Sequence, residues 1–510
     1  MDEKCLKAGI FYNEDIYRET LEQPIDVDFS LPDYCPDISK IFKCKAVIRI
    51  ISKGLNGKNV TIDGNAVITL LYCDKDNNLC SYEYSYPFNK IKEISTETED
   101  ANLIVTAKCD YINCRAVSGR KVDIHGSASL CVRVFKRTEN QIITDYDAEN
   151  IQLKRTVAPA AVPVAYCEKY IAVEEEISLG NMQAPVLRIL RYDAAPAVKE
   201  CKIIKDKIIV KGELAVNILY CADKIKAPQV LTSALPFSQI IEMAGISEIC
   251  KCDVTGETAM LEIKPSNAYD GDCRSFSLNA KLLLKCESYC VNDIEVLEDA
   301  YSTKYKTEIS KKSLTFNRIC ENISENCFAK KTVDINENIV SVIDICGEIQ
   351  SKQVKCENSK ITVSGTVLAT VIACDKDENI LFYEKPLDFE WNYTCVSNEN
   401  EISFNPWVTV TAIGFTILNA NSLELRSELL VAGAVYEKRE ISLITDMQIT
   451  DGKPCSCGKK GGMVICFNVE GETLWNIAKK YNASIEEIKQ INEIEGEYIG
   501  DKKQLLIPIN

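Results

Sequence analysis

The side chains that could do chemistry in this chain are mainly thiols. The 510 residues include 25 cysteines but a single histidine, His125. Thiolates can bind metals, form disulfides or act as nucleophiles, and each role needs partner residues at a suitable spacing. The sequence has no Cys-x-x-Cys pair, and one histidine rules out ordinary Cys2His2 sites and leaves little basis for a Ser-His-Asp or Cys-His set. We therefore predict no catalytic residues, no bound metal and no cofactor.

Two weaker arrangements could be taken for metal sites. Cys455-Ser-Cys457 together with Cys466 could supply three of the four ligands of a zinc ion, but this Cys-x-Cys lies in a Gly- and Lys-rich stretch that is typical of a linker. The acidic runs at residues 74–78 and 375–379 resemble calcium loops. They lack the further spaced ligands of such loops, so solvated hairpin turns are the better prediction.

Composition and charge narrow the class of protein. The formal net charge of −16 makes nucleic acid and anionic lipid poor partners. The first five residues, Met-Asp-Glu-Lys-Cys, lack the apolar core of a signal peptide, and no window approaches the ~20 apolar residues of a membrane helix. We therefore expect a cytosolic protein whose cysteines are reduced where it is made and could cross-link later in an oxidising environment.

A degenerate repeat of about 150 residues occupies the first 450 residues. Each copy contains a strand in which apolar and polar residues alternate, as expected when one face is buried. The central residue of each apolar face is a glycine, which could mark a bulge or the close approach of another backbone: Gly64, Gly212 and Gly365. Each strand ends at a cysteine that we assign to the outer, solvent-facing side: Cys73, Cys221 and Cys374.

A second alternating strand follows about 60 to 70 residues later in each copy. Its apolar faces run from Val122 to Val132, from Phe276 to Leu284 and from Leu423 to Val431. Between the two strands lie similar dipeptides: Pro87-Phe88, Pro236-Phe237 and Pro386-Leu387. Each copy thus reads as several antiparallel strands, which predicts a mainly β chain of sandwich-like or barrel-like repeats.

The last fifty residues follow another pattern. Ile465, Phe467 and Val469 alternate with polar residues, which predicts a short strand with one buried face. Thr473 and Ser484 stand at N-cap positions before two stretches of helical periodicity. The run Leu505-Leu506-Ile507-Pro508 predicts a closing strand. The expected order is strand, helix, helix, strand.

This tail closely resembles a LysM domain, a small βααβ module that usually binds N-acetylglucosamine-containing glycans and sometimes proteins. The residues that carry the resemblance are Glu472-Thr473-Leu474-Trp475, Asn482-Ala483-Ser484, Asn492 and the closing strand. The resemblance implies a shallow groove framed by two loops. The matching positions are Gly471, Glu472, Thr473 and Leu474 on one side and Asn492, Glu493 and Ile494 on the other.

The tail also departs from the LysM pattern. Family members usually carry Gly-Gln before the last strand, where this chain has Lys502-Lys503, and Gly500-Asp501 could supply the turn two residues early. From Met463 onward the chain has eight acidic residues and five lysines. This acidic surface suits a protein partner with a basic surface, although it does not exclude a neutral sugar.

The three repeats resemble SPOCS domains, which occur in spore-coat-associated proteins beside LysM. The first copy opens with Leu31-Pro32-Asp-Tyr-Cys-Pro36-Asp37-Ile38, similar to the Pro-x3-Pro-Asp-Ile of that family, whereas the other copies have drifted at this point. The predicted organisation is an N-terminal segment at 1–23, SPOCS-like repeats at 24–150, 151–300 and 301–450, a linker at 451–462 and a LysM domain at 463–510.

The combined resemblance is to spore-coat morphogenetic proteins. It implies a non-enzymatic adaptor in the mother-cell cytoplasm that tethers coat layers to the forespore surface by binding, through LysM, an ATPase scaffold of the SpoIVA type. Two alternatives stay open. One is a protein of the cortex or cell wall that binds peptidoglycan or N-acetylglucosamine. The other is a self-assembling subunit whose cysteines cross-link a shell or fibre.

Overall fold

The structure is a computed structural model that describes most of the chain. The described residues are 4–147, 150–180, 182–266, 272–335, 337–357, 359–377, 379–395, 401–454, 462–467, 472–496 and 504–509. They form a chain of antiparallel strands with two short helices near its end.

The first repeat consists of two three-stranded antiparallel sheets. Its strands are β1 (Lys4–Ser30), β2 (Lys40–Asn56), β3 (Asn59–Cys73), β4 (Leu79–Glu93), β5 (Asn102–Ala116) and β6 (Lys121–Asp147). One sheet has the order β2-β3-β4 and the other β1-β6-β5. The alternating strands of the sequence are β3 and β6, the central strands of the two sheets, because each buries one face against the other sheet.

The second repeat has the same arrangement. Its strands are β7 (Ile151–Ser178), β8 (Val186–Ile204), β9 (Lys207–Ala222), β10 (Gln229–Glu242), β11 (Lys251–Pro265) and β12 (Ser275–Ser302). The sheet orders are β10-β9-β8 and β11-β12-β7. The predicted buried faces are confirmed, since Phe276, Leu278 and Leu282 on β12 and Ile208 and Ile218 on β9 are at most 1% exposed.

The third repeat also has this arrangement, with one strand interrupted. Its strands are β13 (Tyr305–Asp334), β14 (Ser341–Glu357), β15 (Lys360–Cys374), β16 (Ile380–Thr394), β17 (Ile402–Phe404), β18 (Trp407–Asn419) and β19 (Ser422–Pro454). The sheets are β14-β15-β16 and a second in which β13, β17 and β18 all pair with β19. The prediction of three antiparallel, sandwich-like repeats is therefore confirmed.

The bulge and the close approach of a neighbouring strand, both suggested by the central glycines, are present in the structure. A Cβ on Gly212 would collide with the ring of Phe237 and the carbonyl oxygen of Ala197 on the neighbouring strands. The register of β8 against β9 also shifts between Val198 and Glu200, which is a bulge beside the glycine. The first repeat has the same features around Gly64 and Phe88. The glycine is needed because it makes room for an aromatic ring over the sheet.

In the third repeat the aromatic residue has moved. Phe389, not Leu387, pairs with Gly365 and covers it. Leu387 is also fully buried, two residues earlier on the same face of β16. The dipeptide that aligned with Pro87-Phe88 by sequence therefore occupies a different register in the structure.

An arginine secures the opening motif of the first repeat. The Arg120 guanidinium donates to the carbonyl oxygens of Pro32 at 2.5 Å and Cys35 at 3.3 Å and to the Asp37 carboxylate at 3.1 Å. In the second repeat, Arg274 donates to the carbonyl of Gln183 at 2.8 Å. In these two repeats the loop after the first strand is thus held to the residue that precedes the sixth strand, and the arginine satisfies carbonyl groups of the loop.

The outermost strands run far beyond the sandwiches as two-stranded ribbons. β1 pairs with β6 over its whole length, from Lys4 opposite Asp147 to Ser30 opposite Lys121. At ~3.3 Å per residue such a strand is about 90 Å long. The predicted boundary at residue 23 therefore falls in the middle of β1, and the N-terminal segment belongs to the first repeat. The boundary at 150 falls between β6 and β7.

The three ribbons pack together as a stalk. Its apolar core takes residues from every repeat: Ile10 and Ile142 from the first, Val296 and Leu297 from the second, and Ile441, Leu443 and Ile444 from the third. All of them are at most 5% exposed. A two-stranded ribbon alone is marginally stable, so each ribbon depends on the other two.

The sandwiches also meet through their first sheets. Leu71, Leu219 and Ile372 lie at equivalent positions on β3, β9 and β15, on the side opposite the sandwich core, and pack into one cluster. The residues facing them on the adjacent strands differ in charge: Lys43, Arg191 and Asp344. Arg191 pairs with Asp344 at 2.7 Å. The repeats have diverged into complementary surfaces and form one body.

Candidate functional site

The C-terminal tail has the predicted order of strand, helix, helix and strand. Its elements are β20 (Gly462–Phe467), α1 (Leu474–Tyr481), α2 (Ile485–Asn492) and β21 (Gln504–Ile509), and β20 pairs antiparallel with β21. Both predicted N-caps are confirmed. The Thr473 hydroxyl accepts a hydrogen bond from the amide of Asn476 at 3.3 Å, and the Ser484 hydroxyl accepts one from Glu487 at 3.5 Å.

Two of the predicted groove residues stabilise the fold of the tail. Leu474 is 2% exposed and packs in the core of the tail with Ile477, Ile488 and Leu505. The Asn492 side chain joins α2 to the last strand, because its Nδ2 donates to the Leu506 carbonyl at 2.7 Å and its Oδ1 accepts from the Leu506 amide at 2.7 Å. Leu474 is thus in the core and not on an open groove surface.

The other groove positions lie closer to the surface. Thr473 and Glu493 are exposed, and Glu472 and Ile494 are partly buried. Glu493 ends α2 in the left-handed conformation with φ of 52°. Gly471, Gly500-Asp501 and Lys502-Lys503 lie outside the described residues, as do Cys455 and Cys457. Ligand binding by these positions stays a prediction.

The two-stranded sheet of the tail exposes apolar side chains that sequence reasoning placed differently. The alternation around Ile465 predicts that Ile465 and Phe467 lie on the buried face. In the structure the opposite face is buried, and Cys466 on it is 6% exposed. Four neighbouring apolar side chains form the outer face of this sheet: Met463, Ile465 and Phe467, which are 61%, 57% and 65% exposed, and Leu506, 38% exposed. We call these four residues the apolar sheet face. Both faces of β20 carry apolar residues, so periodicity could not decide which one the helices cover.

The tail docks on the end of the stalk through one carboxylate. Asp299 on β12 accepts hydrogen bonds from Trp475 Nε1 at 2.8 Å and Lys479 Nζ at 2.7 Å and also pairs with Lys311 at 2.8 Å. Burial raises the pKa of Asp299, but these donors outweigh it and bring the pKa down to about 2. The carboxylate is therefore charged at every ordinary pH.

Aromatic contacts complete the docking. The rings of Trp475 and Tyr301 pack edge to face with centroids 5.1 Å apart, and the Tyr301 hydroxyl donates to the Ala483 carbonyl at 2.7 Å. Tyr301 is 3% exposed and belongs to the same apolar cluster as the tail. The helical spacing of Leu474, Trp475, Ile477 and Ala478 predicts that Trp475 is a buried core residue of a module that folds separately. In the structure Trp475 is half-buried and joins that module to the stalk.

Comparison with protein families agrees with this geometry. The family model described as "SipL, SPOCS domain" matches residues 37–117 and 185–265, and the LysM domain model matches residues 469–508. The chain combines SipL-type SPOCS domains with a LysM domain. The two SPOCS matches cover equivalent parts of the first two repeats, and the third repeat shares their strand order. No curated protein and no solved structure matches the chain significantly.

The domain content sets the broad class of the protein. SPOCS and LysM are non-catalytic domain families, and the pair marks a sporulation-related protein with a LysM module. Within the described residues, no group of three His, Cys, Asp or Glu side chains is placed to hold a metal ion. No helix in the described part of the chain is long and apolar enough to cross a membrane.

The cysteines at the ends of the SPOCS strands are not solvent-facing as predicted. Cys73 is 5% exposed, Cys374 is 9% exposed, and Cys221 is half-buried. The outer faces of β3, β9 and β15 are not open to solvent, because Leu71, Leu219 and Ile372 on them pack together between the repeats, with Cys221 beside them. The sequence contained a sign that both faces of the strand are buried near its end, because Leu70-Leu71-Tyr72 does not alternate between polar and apolar residues. Cys250 and Cys290 form a disulfide within the second SPOCS repeat.

Proposed function

We propose that this protein is a non-enzymatic adaptor of the spore coat. Its LysM domain binds a protein partner, and the stalk of SPOCS repeats holds that domain at one end of a rigid body. In this proposal the protein works in the mother-cell cytoplasm at the forespore surface. Its partner there is the ATPase scaffold of the SpoIVA type on which the coat assembles.

The observation that carries the protein-binding role is the apolar sheet face. Its four side chains stay exposed after the LysM domain has docked, because docking uses Trp475 and Lys479 on α1. Exposed apolar side chains gathered on one face are typical of protein interfaces. Met and Phe are also enriched in such interfaces relative to the rest of a protein surface.

Charge supports the same choice of partner. The eight acidic residues and five lysines from Met463 onward leave the module acidic, which favours a partner with a basic surface around an apolar centre. Glycan binding has less support. Of the seven predicted groove positions, Leu474 is buried, and the Asn492 amide already bonds to the last strand.

The test is a binding measurement with a matched pair of substitutions in the full-length protein. Phe467→Ser removes the most exposed side chain of the apolar sheet face, and Phe328→Ser removes an equally exposed ring, 70% accessible, on β13. Loss of an aromatic anchor at an interface typically costs ~2 kcal/mol or more, which is at least about 30-fold in affinity. We expect that loss for the scaffold with Phe467→Ser and none with Phe328→Ser.

Purified peptidoglycan provides the second arm of this experiment. The proposal expects weak or no saturable binding to the glycan and no effect of Phe467→Ser on it. Tight glycan binding that Phe467→Ser leaves intact, together with no affinity for the scaffold, would favour the wall-binding alternative instead.

A further inference from the structure

A cavity of about 600 Å³ lies between the three SPOCS repeats. Its wall comes from the first sheet of every repeat: Lys45 and Arg49 belong to β2, Arg191 and Asp193 to β8, and Glu348 to β14. A cavity of this size suits a small organic molecule. The adaptor role does not require this cavity.

Most charges of the wall neutralise one another. Three cations are paired with carboxylates of another repeat: Lys43 with Glu384 at 3.0 Å, Lys45 with Glu348 at 2.5 Å and Arg191 with Asp344 at 2.7 Å. Asp193 adds contacts to Lys45 at 3.4 Å and to Arg191 at 3.3 Å. These contacts hold the repeats together and set four carboxylates against three cations, so none of these three cations is free for a ligand.

Two cations of the wall have no such partner. Arg49 Nη1 donates to the carbonyl oxygen of Thr258 at 3.0 Å, and Lys281 Nζ lies 4.5 Å from the ring centre of Tyr170. Neither forms an ion pair with a carboxylate in the described part of the chain. One lining carboxylate, Glu83, also stays outside the ion pairs. With Asp193 included, the five cations of the wall and the five carboxylates on or paired to it balance, so attraction for an anion is local to the unpaired Arg49 and Lys281.

Arg49 is the cation that an anion would neutralise most effectively. Burial lowers the pKa of Arg49, which means that its charge is poorly solvated, and nearby Tyr192, Glu83 and Asp193 offset this only in part. Arg49 and Tyr170 also line an adjoining cavity of about 210 Å³, so the guanidinium lies where two spaces meet. A charge-assisted hydrogen bond at this point would be only weakly screened by solvent.

The remainder of the lining is apolar and partly open. Ile51, Met260 and Tyr170 line the cavity and are 58%, 43% and 36% exposed, so they lie where the cavity meets solvent. Val47 and Leu261 add apolar surface to the wall. An occupant that contacts both parts of this lining has an anionic group, placed at Arg49, and an apolar body.

We propose that this cavity binds a small organic carboxylate with an apolar body, with its carboxylate paired to Arg49. Ile51, Met260 and Tyr170 contact the apolar part. The site is independent of the LysM domain and of the adaptor role. Because its wall comes from all three repeats, ligand binding also stabilises their assembly.

Isothermal titration calorimetry of the full-length protein tests this proposal. The probes are decanoate, below the concentration at which it forms micelles, and decanol, which has the same chain without the charge. Wild-type protein is expected to bind decanoate saturably and decanol at least about tenfold more weakly. Arg49→Met should weaken decanoate about tenfold or more and leave decanol unchanged. Arg18→Met, at a side chain 72% exposed on β1, should have no effect.

A second variant keeps the test informative if Arg49→Met does not fold. Ile51→Trp keeps the guanidinium and changes an exposed side chain at the opening, so we expect a normal fold with slower or weaker decanoate binding. The proposal is overturned if wild-type protein gives no saturable heat with decanoate, or if decanol binds equally well. It is also overturned if folded Arg49→Met binds decanoate like wild type.

Discussion

Replacing Asp299 with alanine should release the LysM domain from the stalk. The carboxylate is 13% exposed and receives Trp475 Nε1, Lys479 Nζ and Lys311 Nζ, all within 2.8 Å. Its removal leaves the indole N–H and two ammonium groups without their acceptor. The aromatic pair of Trp475 and Tyr301 stays, so docking is weakened and not abolished.

The size of the effect follows from these contacts. A hydrogen bond to a charged group contributes ~1.5–3 kcal/mol, so the indole bond dominates. The lysine side chains are 40% and 36% exposed, so each ion pair adds only ~0–1 kcal/mol. The total is ~2–4 kcal/mol. A module of ~50 residues has a stability of only a few kcal/mol, so losing the docking energy should lower its melting temperature by roughly 10–20 °C.

Differential scanning calorimetry and hydrogen exchange of the full-length protein measure this change. We expect a separate, low-temperature transition in Asp299→Ala and faster exchange in α1 and α2, with the SPOCS repeats unchanged. Glu298→Ala is the matched control, because Glu298 is the preceding residue and forms only a partly exposed pair with Lys154 at 3.0 Å. If α1 and α2 in Asp299→Ala exchanged as slowly as in wild type, the docking argument would be wrong.

Three further predictions concern the SPOCS repeats. Gly212→Ala should destabilise the second repeat by ~1–3 kcal/mol in thermal melts, because its Cβ meets a ring and a carbonyl, whereas Gly414→Ala, with open space around it, should not. Mass spectrometry after thiol labelling of the reduced, folded protein should find Cys131, which is exposed, modified well before the buried Cys73; equal rates would contradict the burial of Cys73. Burial raises the pKa of Glu287, so the folded state favours its neutral form, and this contribution to stability is complete below pH ~4.3 and lost as pH rises through the raised pKa. Glu287→Gln should therefore raise the melting temperature at pH 7 but not at pH 4, and parallel melting curves across this range would refute the assignment.

Local pattern predicted the elements of this protein well. The alternation in β3, β9 and β15 and in β6, β12 and β19 identified the central strand of every sheet and the side it buries. A strand with period-two polarity has only one way to face a core. Thr473 and Ser484 marked the starts of both helices, because an N-cap is a local interaction that needs no tertiary partner.

The alternating pattern did not show what covers the second face of each strand in the assembled chain. Cys73 and Cys374 were assigned to solvent because they lie opposite the sandwich core, yet both are buried, and on the same outer side Leu71 and Ile372 form a second core with the neighbouring repeats. Periodicity shows that a strand has two different faces but does not show what lies against the second one. The sequence pattern also did not predict the long ribbons, because their apolar residues contact strands more than a hundred residues away.

For the candidate site, too, the sequence determined the local elements and the tertiary structure determined which residues are exposed. Sequence alone indicated the strand-helix-helix-strand order of the tail, because cap residues, helical spacing and closing strand follow one another within fifty residues, and its resemblance to LysM agrees with the family match. Only the tertiary structure decided how that module is presented. It turns Ile465 and Phe467 outward, takes Leu474 into the core and docks Trp475 on Asp299 and Tyr301. The physical reason is that both faces of the short strand are apolar, so burial depends on where the helices and the distant stalk pack.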